Sequence, residues 1–114
     1  MTETIFDKII SKEIPSDIIY EDDQYLAFSD INPQAPVHIL IIPKKRIPTI
    51  NDLESGDGKT IGEMILIAKK IAKNKQIDKD GYRLVFNCND HGGQSVFHIH
   101  LHLLGGRQLN WPPG

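Results

Sequence analysis

The stretch at residues 98–104 reads HIHLHLL and alternates three histidines with aliphatic residues. Successive side chains of a β-strand point to opposite faces, so this spacing predicts a strand with His98, His100 and His102 on one face, each roughly 7 Å from the next. An ordinary exposed strand face carries Thr, Lys or Glu, so three imidazoles in register indicate a chemical role. The alternate residues are expected to pack against the core: Phe97, Ile99, Leu101 and Leu103.

Three interpretations of this histidine face are open. The histidines could be plain surface or hydrogen-bonded core residues. Two of them could bind a zinc ion, with His38 as a third ligand. They could also carry out acid–base and nucleophilic chemistry on an anionic substrate, because imidazole titrates near neutral pH.

The loop just before the histidines favours the third interpretation. It reads GGQS at residues 92–95 and offers backbone N–H groups, the side-chain amide of Gln94 and the hydroxyl of Ser95. Paired glycines let the backbone approach a bound group closely, as phosphate-binding turns do. A simple tight turn is the alternative for the glycines alone, and a zinc hydrolase could bind phosphate here too.

Apolar spacing predicts two helices. A short amphipathic helix is expected over residues 4–12, with Thr4 as its N-cap, and a long one over residues 58–75. The faces expected to be buried carry Ile5, Ile9 and Ile10 in the first helix and Ile61, Met64, Ile65, Ala68, Ile71 and Ala72 in the second.

Four further strands complete the predicted fold. VHILIIP (Val37–Pro43) reads as a strand buried on both faces, and the basic run KKR after it as a solvated loop. DIIYEDD and QYLAFSD predict a hairpin, and GYRLVFNC at residues 81–88 another strand, followed by a loop reading NDHGGQS. Together these elements predict an α+β fold with a mostly antiparallel five-stranded sheet, one long helix and one short helix.

Composition limits the class of protein further. A chain of 114 residues with 39% hydrophobic and 25% charged residues is expected to form a single globular domain over residues 1–114. A net charge of -2 gives no attraction to nucleic acid or to an anionic membrane. A single cysteine fits a reducing compartment, and neither a signal peptide nor a transmembrane run is visible. We expect a cytoplasmic protein, with the nucleus as an alternative location.

The motif His-φ-His-φ-His-φ-φ, where φ is hydrophobic, resembles that of the histidine triad superfamily. Over nearly the whole chain the sequence is similar to the Hint branch of that superfamily, the purine nucleoside phosphoramidases: DIIYEDD, AFSDINPQAP, HILIIPKK, GGQSVFHIHLH and LGGRQLNWPPG carry the likeness. The resemblance implies the histidine triad fold and a homodimer whose sheet continues across the two-fold axis. It also implies a purine nucleotide substrate and no metal or other cofactor.

The resemblance implies a role for each catalytic residue. His100 is the nucleophile, attacking phosphorus through Nε2 while a backbone carbonyl holds its Nδ1–H. His102 contacts the phosphate oxygens, and His98 pairs with His38 to support the site. Ser95 donates a hydrogen bond near the leaving group.

The resemblance also implies a substrate pocket. Asn87, Gly93 and Gln94 complete the donors around the phosphate, and Asp30 accepts from the ribose hydroxyls. Trp111, in the C-terminal tail, reaches the partner's active site. The base and ribose lie against Tyr20, Phe28, Ile31 and Leu40. Without the resemblance, Phe28, Ile31 and Leu40 read as core, Asp30 as a turn residue and His38 as a core histidine.

Three positions depart from the family pattern. Ser29 and Arg46 stand where histidine is common, and His91 where an acidic residue is more usual. Arg46 is expected in a loop remote from the motif, so these changes should alter substrate preference and leave catalysis intact.

The sequence is therefore compatible with two main functions. The first is a hydrolase that converts purine nucleoside 5'-phosphoramidates, and acyl-adenylates, to the nucleoside monophosphate through a nucleotidyl-histidine intermediate. The alternative is a nucleotide-binding dimeric interaction module with incidental turnover. A zinc-binding protein is a third, weaker option.

Overall fold

The computed structural model describes residues 3–114; Met1 and Thr2, part of the predicted 1–114 domain, lie outside the described residues. A five-stranded sheet runs in the order β1-β2-β3-β5-β4, and every neighbouring pair is antiparallel. The α+β prediction is confirmed. The strands are β1 (Ile18–Glu21), β2 (Tyr25–Ser29), β3 (Val37–Pro43), β4 (Tyr82–Phe86) and β5 (Leu101–Gly105), and the α-helices are α1 (Ile5–Ile10), α2 (Gly58–Asn74) and α3 (Asn89–Gly92). Two short 3-10 helices, Ile50–Asp52 and Ser55–Asp57, precede α2.

The central strand β3 divides the core into two layers. Ile39 and Ile41 pack under α2, whereas Leu40 and Ile42 pack with Phe6 of α1 on the other face. Burying one such aliphatic side chain contributes about 1.5–3 kcal/mol, so both layers need their covering helix. The prediction that Val37–Pro43 is buried on both faces is confirmed.

The long helix follows the prediction closely. Gly58–Asn74 is helical, and Met64, Ala68, Ile71 and Ala72 are buried against the sheet. Ile65, placed on the buried face from the sequence, is 41% exposed instead. None of the helices in residues 3–114 combines the length and apolar character that a membrane crossing requires.

The first helix is shorter than predicted and turned differently. Thr4 is its N-cap, as expected: its side chain accepts from the Asp7 N–H and the Asp7 carboxylate accepts from the Thr4 N–H, which forms a capping box. The helix ends at Ile10, well before Pro15. Phe6 and Ile9 form its buried face, so the expectation that Ile5 is buried is wrong.

The histidine strand begins later than predicted. Pairing of β5 with both neighbours starts at Leu101, opposite Ile41 and Phe86, so His98 and His100 precede the regular strand. β4 ends at Phe86, so the residues before Leu101 have no strand partner on that side. The backbone there bonds to a loop instead, because the Ile99 N–H donates to the Ile47 carbonyl at 2.7 Å. Ile99, Leu101 and Leu103 are buried as expected, but Phe97 is 46% exposed. The loop predicted before the histidines contains the one-turn helix α3.

Candidate active site

A pocket of about 320 Å³ opens on the α1 face of the sheet. This size lies at the lower end of the range for small-molecule sites. Its floor and walls bring together seven of the predicted site residues, which are Phe28, Asp30, Ile31, Leu40, Ser95, His100 and His102. The predicted catalytic and nucleoside-binding residues thus largely share one cavity.

The tautomer of His100 is set by the backbone. Its Nδ1 lies 2.8 Å from the carbonyl oxygen of His98. A carbonyl only accepts, so Nδ1 carries the proton and Nε2 keeps its lone pair. Burial is the main cause that lowers the pKa of His100, which favours the neutral ring further. A neutral imidazole with a free Nε2 is the form that can act as a nucleophile.

The tautomers of His38 and His102 follow from a short chain of hydrogen bonds. His38 Nδ1 accepts from the Gln34 N–H at 3.0 Å, so the proton of His38 lies on Nε2. Nε2 donates to His102 Nδ1 at 2.9 Å, which leaves the proton of His102 on its Nε2. That buried nitrogen has no hydrogen-bond partner within residues 3–114. His102 therefore offers an N–H donor in the pocket, next to His100.

Burial keeps this pair neutral. It lowers the pKa of His102 to about 4, and a proton on the neighbouring His100 or His38 would lower it further. The pKa of His38 is also lowered by burial, against a smaller opposing effect of the Asp30 carboxylate. Asp30 Oδ2 lies 3.5 Å from His38 Nε2, while its Oδ1 accepts from the Asn32 N–H at 2.9 Å.

Asp30, His38 and His102 form the one group in the described part of the chain that could offer three atoms to a metal ion. Their candidate ligand atoms lie within 4.8 Å of one another. His38 Nε2–H already donates to His102 Nδ1 at 2.9 Å, however, so a metal bound to both nitrogens would have to displace this proton. The zinc interpretation therefore competes with the hydrogen bond that orders His102.

The predicted pairing of His98 with His38 is wrong. His98 is fully buried, and its Nε2 donates to the Pro43 carbonyl at 2.7 Å. His38 instead pairs with His102, because the register sets Leu40 opposite His102 and makes these two histidines diagonal neighbours on one face. His98 contributes through its backbone, since its carbonyl holds the His100 proton.

The first helix supplies a wall of the pocket that the sequence did not assign to it. The Phe6 ring meets His100 edge-on at 5.0 Å between ring centres and meets Phe28 at 5.4 Å. Ile5 and Ile9 also line the cavity. The amphipathic pattern of this helix shows that it covers an apolar surface, but not which one.

Tyr20 does not belong to the pocket. The β1–β2 pairing is irregular between Ile18 and Tyr20, so that Ile18 pairs with Phe28 and Tyr20 with Ala27. Ala27 faces the α2 layer, and Tyr20 packs against that layer. Its hydroxyl donates to the Asp22 carboxylate. The prediction that the base or ribose lies against Tyr20 is therefore wrong.

Donors of the GGQS loop at residues 92–95 form hydrogen bonds within the protein. The Gln94 side chain donates to the Pro48 and Val96 carbonyls at 2.7 and 3.0 Å and accepts from the Asn89 N–H at 2.9 Å. The Gly93 N–H donates to Asp90. In this structure these donors are therefore engaged within the protein, and a contact of Gly93 or Gln94 with the phosphate stays a prediction.

The three remaining predicted substrate-binding residues lie at different places relative to the pocket: Asn87, Ile31 and Trp111. Asn87 follows β4 and does not line the pocket. Ile31 lines the pocket mouth and is 93% exposed. Trp111 is 81% exposed and lies outside the pocket of its own chain, so its contact with a partner's site stays a prediction.

The three departures from the family pattern lie at different distances from the site. Ser29 lines the pocket and donates to the Asp17 carboxylate at 2.9 Å. His91 is exposed on α3. Arg46 forms an ion pair with Asp7 at 2.8 Å, and Asp7 in turn faces His98. The expectation that Arg46 is remote from the motif is therefore wrong.

The fold and the pocket define a class: an α+β protein with a neutral histidine, unprotonated at Nε2, beside a second imidazole that offers an N–H donor. A sequence model of the HIT domain matches residues 11–109, and the chain belongs to this family. The purine nucleoside phosphoramidase of Escherichia coli (strain K12) is 61% identical over 107 residues, which cover 94% of this chain and 90% of that protein.

Solved structures of HIT family proteins have the same fold. A HIT family hydrolase from Legionella pneumophila Philadelphia 1 superposes with a TM-score of 0.96 at 54% identity, covering 98% of this chain and 100% of that one. A histidine triad protein from Clostridium difficile gives a TM-score of 0.91 at 43% identity, covering 96% and 97%. The resemblance to the histidine triad superfamily is confirmed.

Proposed function

We propose that this protein is a nucleoside phosphoramidase, a hydrolase that cleaves the P–N bond of purine nucleoside 5'-phosphoramidates through an intermediate on His100. The observation that carries the proposal is the 2.8 Å contact between His100 Nδ1 and the His98 carbonyl, which leaves Nε2 unprotonated in the pocket. The purine nucleoside phosphoramidase of E. coli supports the choice of bond and substrate.

In the first step, His100 Nε2 attacks phosphorus. The Nε2–P bond forms while the P–N bond breaks, and the amine departs with a proton taken up from solvent, which the attacking water returns in the second step. His102 Nε2–H donates to a phosphate oxygen, which gives this buried donor the partner that it lacks among residues 3–114. Ser95, which lines the same pocket, donates near the leaving amine. His38 keeps His102 in the donor tautomer.

In the second step, water attacks the same phosphorus. The Nε2–P bond breaks, the nucleoside monophosphate leaves and His100 returns to its neutral form, so one water is consumed for each amine released. An acyl-adenylate would follow the same path with a P–O bond in place of P–N.

The pocket walls suit a nucleoside. Phe28 and Leu40, joined by Phe6 and Ile9 of α1, give an apolar surface for the base, and Ile31 adds to it at the mouth. Asp30 lies at the same rim, where its carboxylate accepts from the ribose hydroxyls. AMP and GMP conjugates are the proposed substrates.

The assembly and location belong to the same proposal. A homodimer would extend the sheet through β4, which forms one edge of it, and would bring Trp111 to the partner's site. Two-fold pairing gives two equivalent sites. A cytoplasmic location suits the free thiol of Cys88. The relatives reported above are bacterial, so a nucleus is not part of the proposal.

The alternative is a nucleotide-binding module in which turnover is incidental. Binding alone needs the walls and the His102 donor, but not a free Nε2 on His100. The two functions therefore differ in whether a covalent intermediate forms.

In the decisive experiment, turnover of adenosine 5'-phosphoramidate is stopped with acid-free denaturant. Any nucleotide adduct on the protein is then located by mass spectrometry. We expect an adenylyl group on His100, and none in His100→Asn. His91→Asn is the matched control, because His91 is exposed on α3 outside the pocket. Turnover at the wild-type rate by His100→Asn, or an adduct on another residue, would rule out His100 as the nucleophile.

A further inference from the structure

Asp7 joins the first helix to the active site. Its Oδ2 accepts from the Thr4 N–H at 2.7 Å and from Arg46 Nη1 at 2.8 Å. Its other oxygen, Oδ1, lies 3.9 Å from Nδ1 of His98. The hydrogen bond from Thr4 and the charge of Arg46 outweigh the opposing effect of burial and lower the pKa of Asp7. The carboxylate is therefore charged where it faces His98.

Arg46 lies on the loop that also holds the histidine segment. Three residues after β3, it reaches across to α1 with a side chain that is mostly buried. Pro43, the last residue of β3, presents its carbonyl to His98, and Ile47 in this loop presents its carbonyl to the Ile99 N–H, each at 2.7 Å. The Asp7–Arg46 ion pair thus ties α1 to the loop after β3, and hydrogen bonds to the Pro43 and Ile47 carbonyls tie residues 98–99 to the same region.

His98 lies between two opposite charges. Its Nε2 proton is committed to Pro43, so Nδ1 is unprotonated in the neutral ring and has no hydrogen-bond partner in residues 3–114. Burial lowers the pKa of His98 most strongly. The hydrogen bond to Pro43 and the Asp7 charge raise this pKa, and the Arg46 charge lowers it. The His100 imidazole is also a neighbour, and the charge of a protonated His98 lowers the pKa of His100. The two charges offset each other at the ring.

We propose that Asp7 and Arg46 are a positioning pair for the nucleophile: together they fix the neutral ring of His98, whose carbonyl holds the Nδ1 proton of His100. This proposal rests on the role of His100 under the proposed function. Neither residue touches the substrate or the reacting atoms.

The geometry explains why both charges are needed. With Arg46 removed, the Asp7 carboxylate alone faces a buried imidazole and favours a proton on His98 Nδ1. An imidazolium N–H donating to Asp7 closes the 3.9 Å gap by about 1 Å, to the length of a charged hydrogen bond. That shift draws the His98 carbonyl away from His100. With the Asp7 charge removed, the ion pair that ties α1 to the loop after β3 is lost and Arg46 is left unpaired.

The test compares Arg46→Met and Asp7→Asn, which keep side-chain length and remove one charge each. The asparagine oxygen can still accept from the Thr4 N–H, so the helix cap is retained. The pKa of His98 is followed by its imidazole ¹⁵N resonances, and kcat and KM are measured with adenosine 5'-phosphoramidate. We expect the pKa of His98 to rise in Arg46→Met and to fall in Asp7→Asn. We expect kcat to fall about 10- to 100-fold in both, with KM nearly unchanged.

The matched control is the second ion pair of the same loop. Lys45 and Asp57 lie 2.9 Å apart, and Asp57 also accepts a helix-capping N–H, but neither residue contacts His98. Lys45→Met and Asp57→Asn should leave the pKa of His98 and kcat unchanged. A purely structural role for Asp7 and Arg46 would lower melting temperature in both variants without moving the pKa of His98 in opposite directions.

The double variant Asp7→Asn/Arg46→Met completes a double-mutant cycle with the wild type and the two single variants. Because it removes both charges, the pKa of His98 should return toward the wild-type value, and kcat should lie no lower than in the worse single variant. Additive losses in kcat, or equal pKa values for His98 in all variants, would overturn the proposal. Trapping of the adenylyl adduct on His100 in the wild-type protein keeps this result separate from a failure of the proposed function.

Discussion

Acidification should destabilise the fold between pH 6.5 and 4.5 through His102. Its pKa is about 4 in the folded chain, against 6.5 for an unperturbed histidine. Because the folded-state value is the lower one, the unfolded chain binds the proton first, so stability is complete above pH 6.5 and falls as the pH drops toward 4. At pH 5, two-state linkage gives a loss of about 2 kcal/mol for these two pKa values. His102 is partly exposed, so solvent screening reduces the measured loss to about 1–2 kcal/mol.

The assay is urea unfolding at pH 7 and pH 5 for the wild-type protein, His102→Asn and the exposed control His91→Asn. The free energy of unfolding should drop less between the two pH values in His102→Asn, whereas His91→Asn should follow the wild type. Carboxylates with lowered pKa values, such as Asp7 and Asp22, do not enter at these pH values, because they take up protons in the unfolded chain only near pH 4. Equal pH dependence in all three proteins would refute the argument that burial keeps His102 neutral.

Three further outcomes follow from the site. Chelator treatment should leave phosphoramidate turnover unchanged, because His38 and His102 are joined by a proton; loss of activity that added zinc restores would revive the metal interpretation. Phe6→Leu should raise KM for the nucleotide by several-fold and cost about 1 kcal/mol of stability, since the ring is buried against His100 and Phe28; an unchanged KM would show that α1 is not a pocket wall. Removing residues 111–114, where Trp111 is 81% exposed, should change the relative kcat/KM for two leaving groups more than the melting temperature; the reverse would assign the tail a structural role.

The elements with strong local patterns were predictable from the sequence. Val37–Pro43 forms a strand over its predicted length because an apolar β-branched run has few alternatives. The spacing in Gly58–Asn74 likewise indicates a helix. The face of that helix was less certain, because Ile65 and Ile67 are chemically alike and only packing determines that Ile67 is the buried one.

The contacts that orient the histidines depend on register and could not be predicted. A strand pattern places His98, His100 and His102 alike, but the β5 ladder starts at Leu101, and diagonal pairing selects His102 for His38. The irregular pairing near Tyr20 has no sequence signal here and moves that side chain to the other face.

Long-range partners are a second limit. Asp7 and Arg46 are 39 positions apart, and each alone reads as an ordinary helix-capping or loop residue. Only the folded chain shows that they meet next to His98. Phe6 is likewise an ordinary core residue in the sequence, and its contact with His100 depends on how α1 docks.

The central claim is that His100 rests as a neutral imidazole with its proton on Nδ1, held by the His98 carbonyl. The most direct measurement is the ¹⁵N spectrum of histidine-labelled protein at pH 7 without substrate, with His100 assigned by comparison with His100→Asn. We expect a protonated Nδ1 and an unprotonated Nε2 for this residue. A proton on Nε2, or an imidazolium at that pH, would contradict it.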